Sequence, residues 1–420
     1  MRTVLVPVGS SGDVLPMVAV GAELRRRGHD VVVLTSPFFR REVEAAELTL
    51  EPMGTEDDYL AAARDPRLWH PTGGFKVIAR ELVGPRIGEQ HDQVRSLLPR
   101  GGDGSLQRCV VVGSILALGA RLLHDTEGVP FVTVHLQPSV LRSVVDPPWF
   151  GMPMPRSRLG RRAFWRLTDL LFVDRFLRGP INAERSRRGL APIAHVDPWW
   201  HSPRRVVGLF PSWFAAPPPD WPANVTLTGF PLADGGDGRP VPAELDAWLG
   251  AGPAPIVFTF GSAMMHAEKL FAAAARACGQ LQRRGLLLTQ FPAQLPRELA
   301  EGVRHFDYAP FREVFPRCAA VVHHGGIGTT AQALAAGVPQ LIVPHSHDQP
   351  DNARRVERLN AGAMLSPRRA ASATALTRTL GAMLVDERMR AAGAACANRM
   401  REPEQALAAA CDAIEAEAGD

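Results

Sequence analysis

Two short stretches hold most of the side chains able to do chemistry. The first, Val321 to Gln349, reads VVHHGGIGTTAQALAAGVPQLIVPHSHDQ. Gly325, Gly326 and Gly328 let the backbone turn sharply and come close to a ligand. Thr329 to Ala336 has a helical pattern, and the free N–H groups and positive dipole end at such a helix start favour an anion such as a diphosphate. His324, immediately before the turn, adds a donor to the same anion. Gly337 and Pro339 stop the helix, and LIVP then reads as a buried strand that delivers His347, Asp348 and Gln349 to its carboxyl end. Open α/β sheets bind their ligands at that edge. A glycine cluster alone is equally an ordinary strand-to-helix turn.

The second stretch is Gly9-Ser10-Ser11-Gly12-Asp13, between the strand-like TVLVPV and a helical run, Met17 to Arg27, that ends at Gly28. It places Ser10 and Asp13 at the carboxyl edge of another sheet. Taken alone, an Asp in a strand–helix turn reads as a helix cap.

The elements that must position these residues alternate between short apolar runs and helical stretches, the pattern of parallel α/β construction. TVLVPV, DVVVLTS, CVVVGS and PFVTVHL form one set of predicted strands; IVFTF, GLLLTQ, VRHFDY, AAVVHH and QLIVP form a second. Between them, Ala215 to Pro242 is rich in proline and contains GGDG, so residues 215–242 read as a linker. The expectation is an α/β chain of two Rossmann-like parallel-sheet domains facing a central cleft. They would comprise residues 1–214 and 243–420, with the terminal helix packing back on the N-terminal domain. A length of 420 residues agrees, since single cores stop growing near roughly 250–300 residues.

Composition narrows the classes. A formal net charge of +4 is too mild to argue for nucleic acid and suits an anionic substrate. The five cysteines are odd in number, scattered and free of Cys-x-x-Cys spacing, which reads as reduced thiols of a cytoplasmic protein. No secretion signal is expected, and no apolar run reaches the roughly 18 residues of a membrane span.

HHGGxGTT, AAGVPQ and HDQ at this spacing resemble the signature of the UDP- and dTDP-sugar glycosyltransferases of GT-B fold, and GSxGDxxP, through Pro16, resembles the opening motif of their bacterial members. The resemblance implies that Asp13 is the general base that deprotonates an acceptor hydroxyl. An ordinary carboxylate is a weak base for an alcohol, so burial or tight positioning would be needed. It also implies that Ser10, His324, Gly326, Gly328 and Thr329 surround the diphosphate. His323 is expected to be structural, with a swapped role left open. Tyr308, in DYAPF, matches the aromatic residue that stacks on the base, though an aromatic near a strand end is also often core. Gly261 and Ser262 match the FGS turn, where Ser262 either bonds a phosphate or sugar oxygen or shapes the turn. Asp348 and Gln349 match the pair that grips sugar hydroxyls. Gln332 stands where many relatives bind ribose with a glutamate; a neutral amide leans towards a deoxyribose donor. Ser114 stands where a catalytic histidine's aspartate partner occurs in other relatives, consistent with Asp13 acting without a dyad. There is no Asp-x-Asp motif, so no metal and no cofactor are expected, and the implied reaction is direct displacement with inversion at the anomeric carbon.

DPRLWHP, VVVGSILALGARLLHDTEGVP, DPWWHSP and LFPSWFAAPPPDWP further resemble the rhamnosyltransferase chain of rhamnolipid biosynthesis. That branch implies transfer of L-rhamnose from dTDP-L-rhamnose to a 3-(3-hydroxyalkanoyloxy)alkanoate, a hydrophobic hydroxyl-bearing acceptor. Trp149, Phe150, Met152 and Met154 form an apolar cluster suited to line a lipid channel. Arg156 to Arg178 interleaves arginines with Phe, Trp and Leu, and reads either as an amphipathic helix covering the core or as one lying on a membrane surface. Loose association with the inner membrane surface, or with an acceptor-synthesising partner, follows from the second reading. A UDP-sugar enzyme acting on a sterol, macrolide or flavonoid-like acceptor is the nearer alternative. A non-catalytic nucleotide-sugar-binding partner is the more distant one. A Rossmann oxidoreductase is disfavoured, because GSSGD lacks the GxGxxG spacing.

Overall fold

The computed structural model describes residues 1–70, 73–233, 239–261, 264–400 and 402–418. The chain divides into two compact units, Met1–Pro231 with Arg401–Asp420, and Leu232–Met400.

The first unit is built on β1 (Arg2–Val6), β2 (Asp30–Thr35), β3 (Thr49–Pro52), β4 (Cys109–Gly113), β5 (Phe131–His135), β6 (Arg205–Gly208) and β7 (Val225–Leu227), in the order β3-β2-β1-β4-β5-β6-β7. Every neighbouring pair is parallel, with Leu5 opposite Val33 on one side and Val112 on the other. Strands buried on both faces need continuous apolar runs rather than alternation. The runs in β1, β2 and β4 meet that need: Val4, Leu5, Val33, Leu34, Val111 and Val112 are fully buried. The strand order reverses between β1 and β4, so the loop after β1, which carries Gly9 to Asp13, leaves the sheet at its topological switch point.

The second unit holds β8 (Ile256–Thr259), β9 (Gly285–Leu288), β10 (Val303–Phe306), β11 (Ala320–His323), β12 (Gln340–Ile342) and β13 (Gly362–Met364), parallel throughout in the order β10-β9-β8-β11-β12-β13. Its order reverses between β8 and β11. Gly261 follows β8 and His324 follows β11, so both lie at that unit's switch point.

Two differences from the sequence reading concern edges and joints. β3, β7 and β13 are short and only partly buried, so they lack the apolar runs that betrayed the central strands. β7 also falls inside the proline-rich stretch expected to be linker; Val225–Leu227 instead pairs with Val206–Gly208. The C-terminal helix Pro403–Glu415 packs against the helix Ser11–Arg26, where the Cys411 thiol lies 3.7 Å from the Val20 carbonyl oxygen. Arg27 bonds Asp412 and Glu415, each at 2.7 Å, and Arg204 and Arg205 both reach Glu417. The five cysteines are free and buried.

Candidate functional site

In the C-terminal unit, backbone clearance organises the turn after β11. The His324 imidazole lies between two glycines. A Cβ on Gly326 would stand 2.6 Å from its Nε2, and one on Gly261 3.0 Å from the same atom. Gly261 also has a φ of 101°, and Gly325 one of 96°, conformations that favour glycine. Gly326 is the N-cap of the helix Ile327–Ala335, whose first turn presents unbonded N–H groups. Thr330 secures that end, its hydroxyl donating to the Gly326 carbonyl at 3.0 Å. A Cβ on Gly328 would meet nothing within 4 Å, so Gly328 borders open space, and Thr329 is half-buried beside it.

The two histidines have different surroundings. His323 is fully buried, with Nε2 2.9 Å from the Gln340 side-chain oxygen, while its Nδ1 accepts the Gly325 N–H at 3.1 Å. Both ring nitrogens are therefore engaged in holding the turn, and the swapped role left open by the sequence has no free nitrogen to serve it. His324 Nδ1 is buried and has no hydrogen-bond partner among the described residues. Burial, reinforced by His323 and His345, pushes the His324 pKa down to about 3, and burial pushes that of His323 down to about 4. At neutral pH His324 is an N–H donor rather than a cation.

Three expected contacts are placed differently. Gln349 is 3% exposed and turns back on its own loop, its side-chain oxygen accepting the N–H groups of His345 at 2.7 Å and Ser346 at 3.1 Å. It shapes the loop, so of the expected sugar-gripping pair Asp348 is the member not folded inward in this way. Asp348 is half-buried at the N-cap of the helix Gln349–Arg358 and accepts from Asn352 Nδ2 at 2.6 Å. The Gln332 amide donates to the Leu232 carbonyl at 2.7 Å, leaving only its side-chain oxygen without a partner among the described residues. Tyr308 has the Arg239 guanidinium over its ring at 3.9 Å, so a cation from the expected linker lies on the face of the expected stacking residue. Ser262 lies outside the described residues.

Asn352 was not singled out from the sequence. It is fully buried, bonds both the Gly325 carbonyl at 2.9 Å and Asp348, and so ties the turn to the acidic residue. Its four-residue spacing from Asp348 was the available signal. His324 Nδ1, Gln332 Oε1, Ser346 Oγ and Asn352 Oδ1 are all buried and unpartnered among the described residues. Unsatisfied buried polar atoms are costly, about 1–3 kcal/mol each, so each of these is a group that a polar ligand or a water would satisfy.

In the N-terminal unit, Asp13 occupies the third position of the helix Ser11–Arg26, and Ser10 is the N-cap. Asp13 Oδ2 accepts the Ser10 N–H at 2.8 Å and the Ser10 hydroxyl at 3.1 Å. The carboxylate therefore does serve the helix start, and Ser10 is its anchor. Burial nonetheless raises the Asp13 pKa, the Ser10 bonds opposing it, which makes the carboxylate a better base than a free one. Tyr59, also missed from sequence, lies nearby and bonds Ser11; burial, then the Asp13 charge, pushes its pKa up to about 12. The Ser114 hydroxyl accepts the Val8 N–H at 3.3 Å and so shapes the loop leading to Asp13. Trp149 is half-buried, while Phe150 and Met152 are 38% and 47% exposed on the unit's surface.

Comparison with known proteins gives the family and the fold. Residues 3–145 match the glycosyltransferase family 28 N-terminal domain, and residues 288–412 the erythromycin biosynthesis protein CIII-like C-terminal domain. The chain is 32% identical to O-mycaminosyltylonolide 6-deoxyallosyltransferase of Streptomyces fradiae, over 93% of this chain and 91% of that one. It is 29% identical to sterol 3-beta-glucosyltransferase of Arabidopsis thaliana, over 86% of this chain and 57% of that one. Among solved structures, the glycosyltransferase of kitacinnamycin superposes with a TM-score of 0.73 at 18% identity, covering 100% of this chain and 99% of that one. The spinosyn rhamnosyltransferase complexed with thymidine diphosphate gives 0.68 at 19% identity, over 96% and 98%. Two parallel-sheet units of this kind define the GT-B fold. The chain belongs to the glycosyltransferase family 28 and erythromycin CIII-like group of nucleotide-sugar glycosyltransferases.

Proposed function

We propose that this chain transfers a 6-deoxyhexose, L-rhamnose from dTDP-L-rhamnose, to the hydroxyl of a hydrophobic acceptor, with inversion and without a metal or cofactor. The observation that carries the donor half is the His324 ring held between Gly261 and Gly326 at the start of the helix Ile327–Ala335. As the bond from the anomeric carbon to the diphosphate breaks, charge builds on the leaving oxygen. Preorganised N–H donors at a helix start, together with the neutral imidazole, meet that charge without reorganisation. Asp13 takes the proton of the acceptor hydroxyl as its oxygen attacks the opposite face of the sugar. The reading requires Asp13 and the His324 turn to act on one ternary complex.

The thymidine nucleotide is supported by Gln332, whose one remaining acceptor suits a single sugar hydroxyl, and by the thymidine diphosphate bound to the spinosyn rhamnosyltransferase. For the acceptor, the sequence segments that resemble the rhamnolipid branch support a 3-(3-hydroxyalkanoyloxy)alkanoate. A macrolide or sterol alcohol is the second reading, supported by the tylonolide and sterol glycosyltransferase relatives. The presence of Asp13, His324 and Asp348 together weighs against a non-catalytic partner. The test is turnover of purified protein with dTDP-L-rhamnose and each acceptor, with UDP-glucose in parallel, detecting the glycoside by mass. A rhamnoside of the alkanoate supports the first reading; a macrolide or sterol glycoside alone replaces it with the second. No turnover alongside retained nucleotide binding would revive the partner reading.

A further inference from the structure

One helix on the N-terminal unit is turned the wrong way round for a helix that only covers a core. Arg158–Thr168 is α-helical and continues as a wider-wound stretch, Asp169–Arg178. At about 100° per residue, Leu159, Ala163, Leu167 and Leu170 fall on one side, Arg162 and Arg166 border them, and Arg158, Arg161 and Trp165 lie towards the opposite side. A core-covering helix turns its leucines inward. Here the inward residue is Trp165, which is 8% exposed and donates its indole N–H to the Ser143 carbonyl at 3.1 Å. Arg161, on the same side, bonds the carbonyls of Val144, Val145 and Pro155. The leucines face out: Leu159 is 76% exposed, Leu170 62% and Leu167 54%. Phe150, whose ring meets Trp165 edge-on at 6.3 Å, brings a further exposed apolar side chain to the same helix.

Charge decides what suits this face. Arg156, Arg158, Arg162 and Arg166 are exposed and make no ion pair among the described residues. The acids of the segment are engaged elsewhere: Asp169 pairs with Arg142, and Asp174 is buried against His195 and the Val196 N–H. Leucine and unneutralised arginine therefore share a face with no exposed carboxylate. A second copy docked by two-fold symmetry would bring like charges together. A nucleic acid would neutralise the arginines and leave the leucines in water. An anionic bilayer surface meets both, its phosphates against the guanidinium groups and its acyl boundary against the leucines.

We propose that the helix Arg158–Thr168, with the start of its continuation, docks the N-terminal unit in the plane of an anionic phospholipid surface. No helix among the described residues is long and apolar enough to cross a membrane. Neither donor nor acceptor enters this inference, so it stands apart from the proposed reaction.

The experiment is co-sedimentation of the full chain with vesicles of phosphatidylglycerol mixed with phosphatidylcholine, and of phosphatidylcholine alone. Wild type partitions to the anionic vesicles and is released as salt rises. Leu167→Ser with Leu170→Ser, and separately Arg162→Gln with Arg166→Gln, each weaken partitioning by on the order of tenfold. All four positions are exposed, so both variants keep the wild-type thermal midpoint, which is measured alongside. The proposal is overturned if wild type ignores anionic vesicles or if both double variants bind as wild type does. A dimer that the leucine variant dissolves, in place of vesicle binding, would equally overturn it.

Discussion

The Asp13 carboxylate occupies the space that a side chain on Gly9 would fill: a Cβ at position 9 would stand 2.2 Å from Asp13 Oδ2. Gly9 has a φ of 143°, which adds backbone strain to any substitution. Gly9→Ala is therefore expected to push the carboxylate off its Ser10 anchor. Transfer should fall by on the order of 100-fold, since small misplacements of a reacting group are costly. Nucleotide affinity, a property of the other unit, should hold. Steady-state kinetics with calorimetric nucleotide titration checks both.

Asp13→Asn keeps an acceptor for the Ser10 N–H but removes the base. Transfer is expected to drop by about 10²–10⁴-fold with little change in thermal midpoint or nucleotide affinity. Wild-type turnover in this variant would remove Asp13 from the mechanism.

The two adjacent histidines should fail in different ways. His324→Ala is expected to weaken nucleoside diphosphate binding by roughly tenfold or more, the worth of a hydrogen bond to a charged group, with a modest effect on stability. His323→Ala strips partners from the Gly325 N–H and the Gln340 side chain inside the sheet. It should cost about 2–4 kcal/mol of stability. Equal losses of affinity and equal losses of stability in the two variants would contradict this division.

Acid should destabilise the C-terminal unit through the same pair. The folded pKa values of His323 and His324, about 4 and about 3, lie below the ordinary 6.5, so between these limits the unfolded chain binds more protons. Stability then rises with pH: the contribution is complete above about pH 6.5 and is lost progressively as pH falls towards 4 and below. Asp13, with a raised pKa, has the opposite sign and belongs to the other unit. Denaturant midpoints at pH 7, 5 and 4 should fall in that order, and less steeply in His323→Gln.

Removal of the Tyr308 ring tests base stacking. Tyr308→Ala should weaken thymidine nucleotide binding by roughly tenfold, within the range of about 1–3 kcal/mol for a stacked base, while Tyr308→Phe keeps it. Unchanged affinity in the alanine variant would make Tyr308 only the resting place of the Arg239 guanidinium.

The central strands of both sheets and the glycine turns that end β1 and β11 were legible in the chain before any fold was known, whereas the first helix begins at Ser11, ahead of the helical run expected from Met17. Apolar runs, glycine positions and helix punctuation act within a few residues, so they are readable one window at a time. What each polar side chain bonds was settled by packing alone. Gln349 turns to its own loop, Gln332 reaches the Leu232 carbonyl, and His323 is closed off by Gln340, contacts set by neighbours distant in sequence or by a loop path that no local pattern specifies. The same holds for Arg158–Thr168, whose periodicity is amphipathic in either orientation. Its leucines face outward because Trp165 and the carbonyls bonded by Arg161 fix which side is held against the unit.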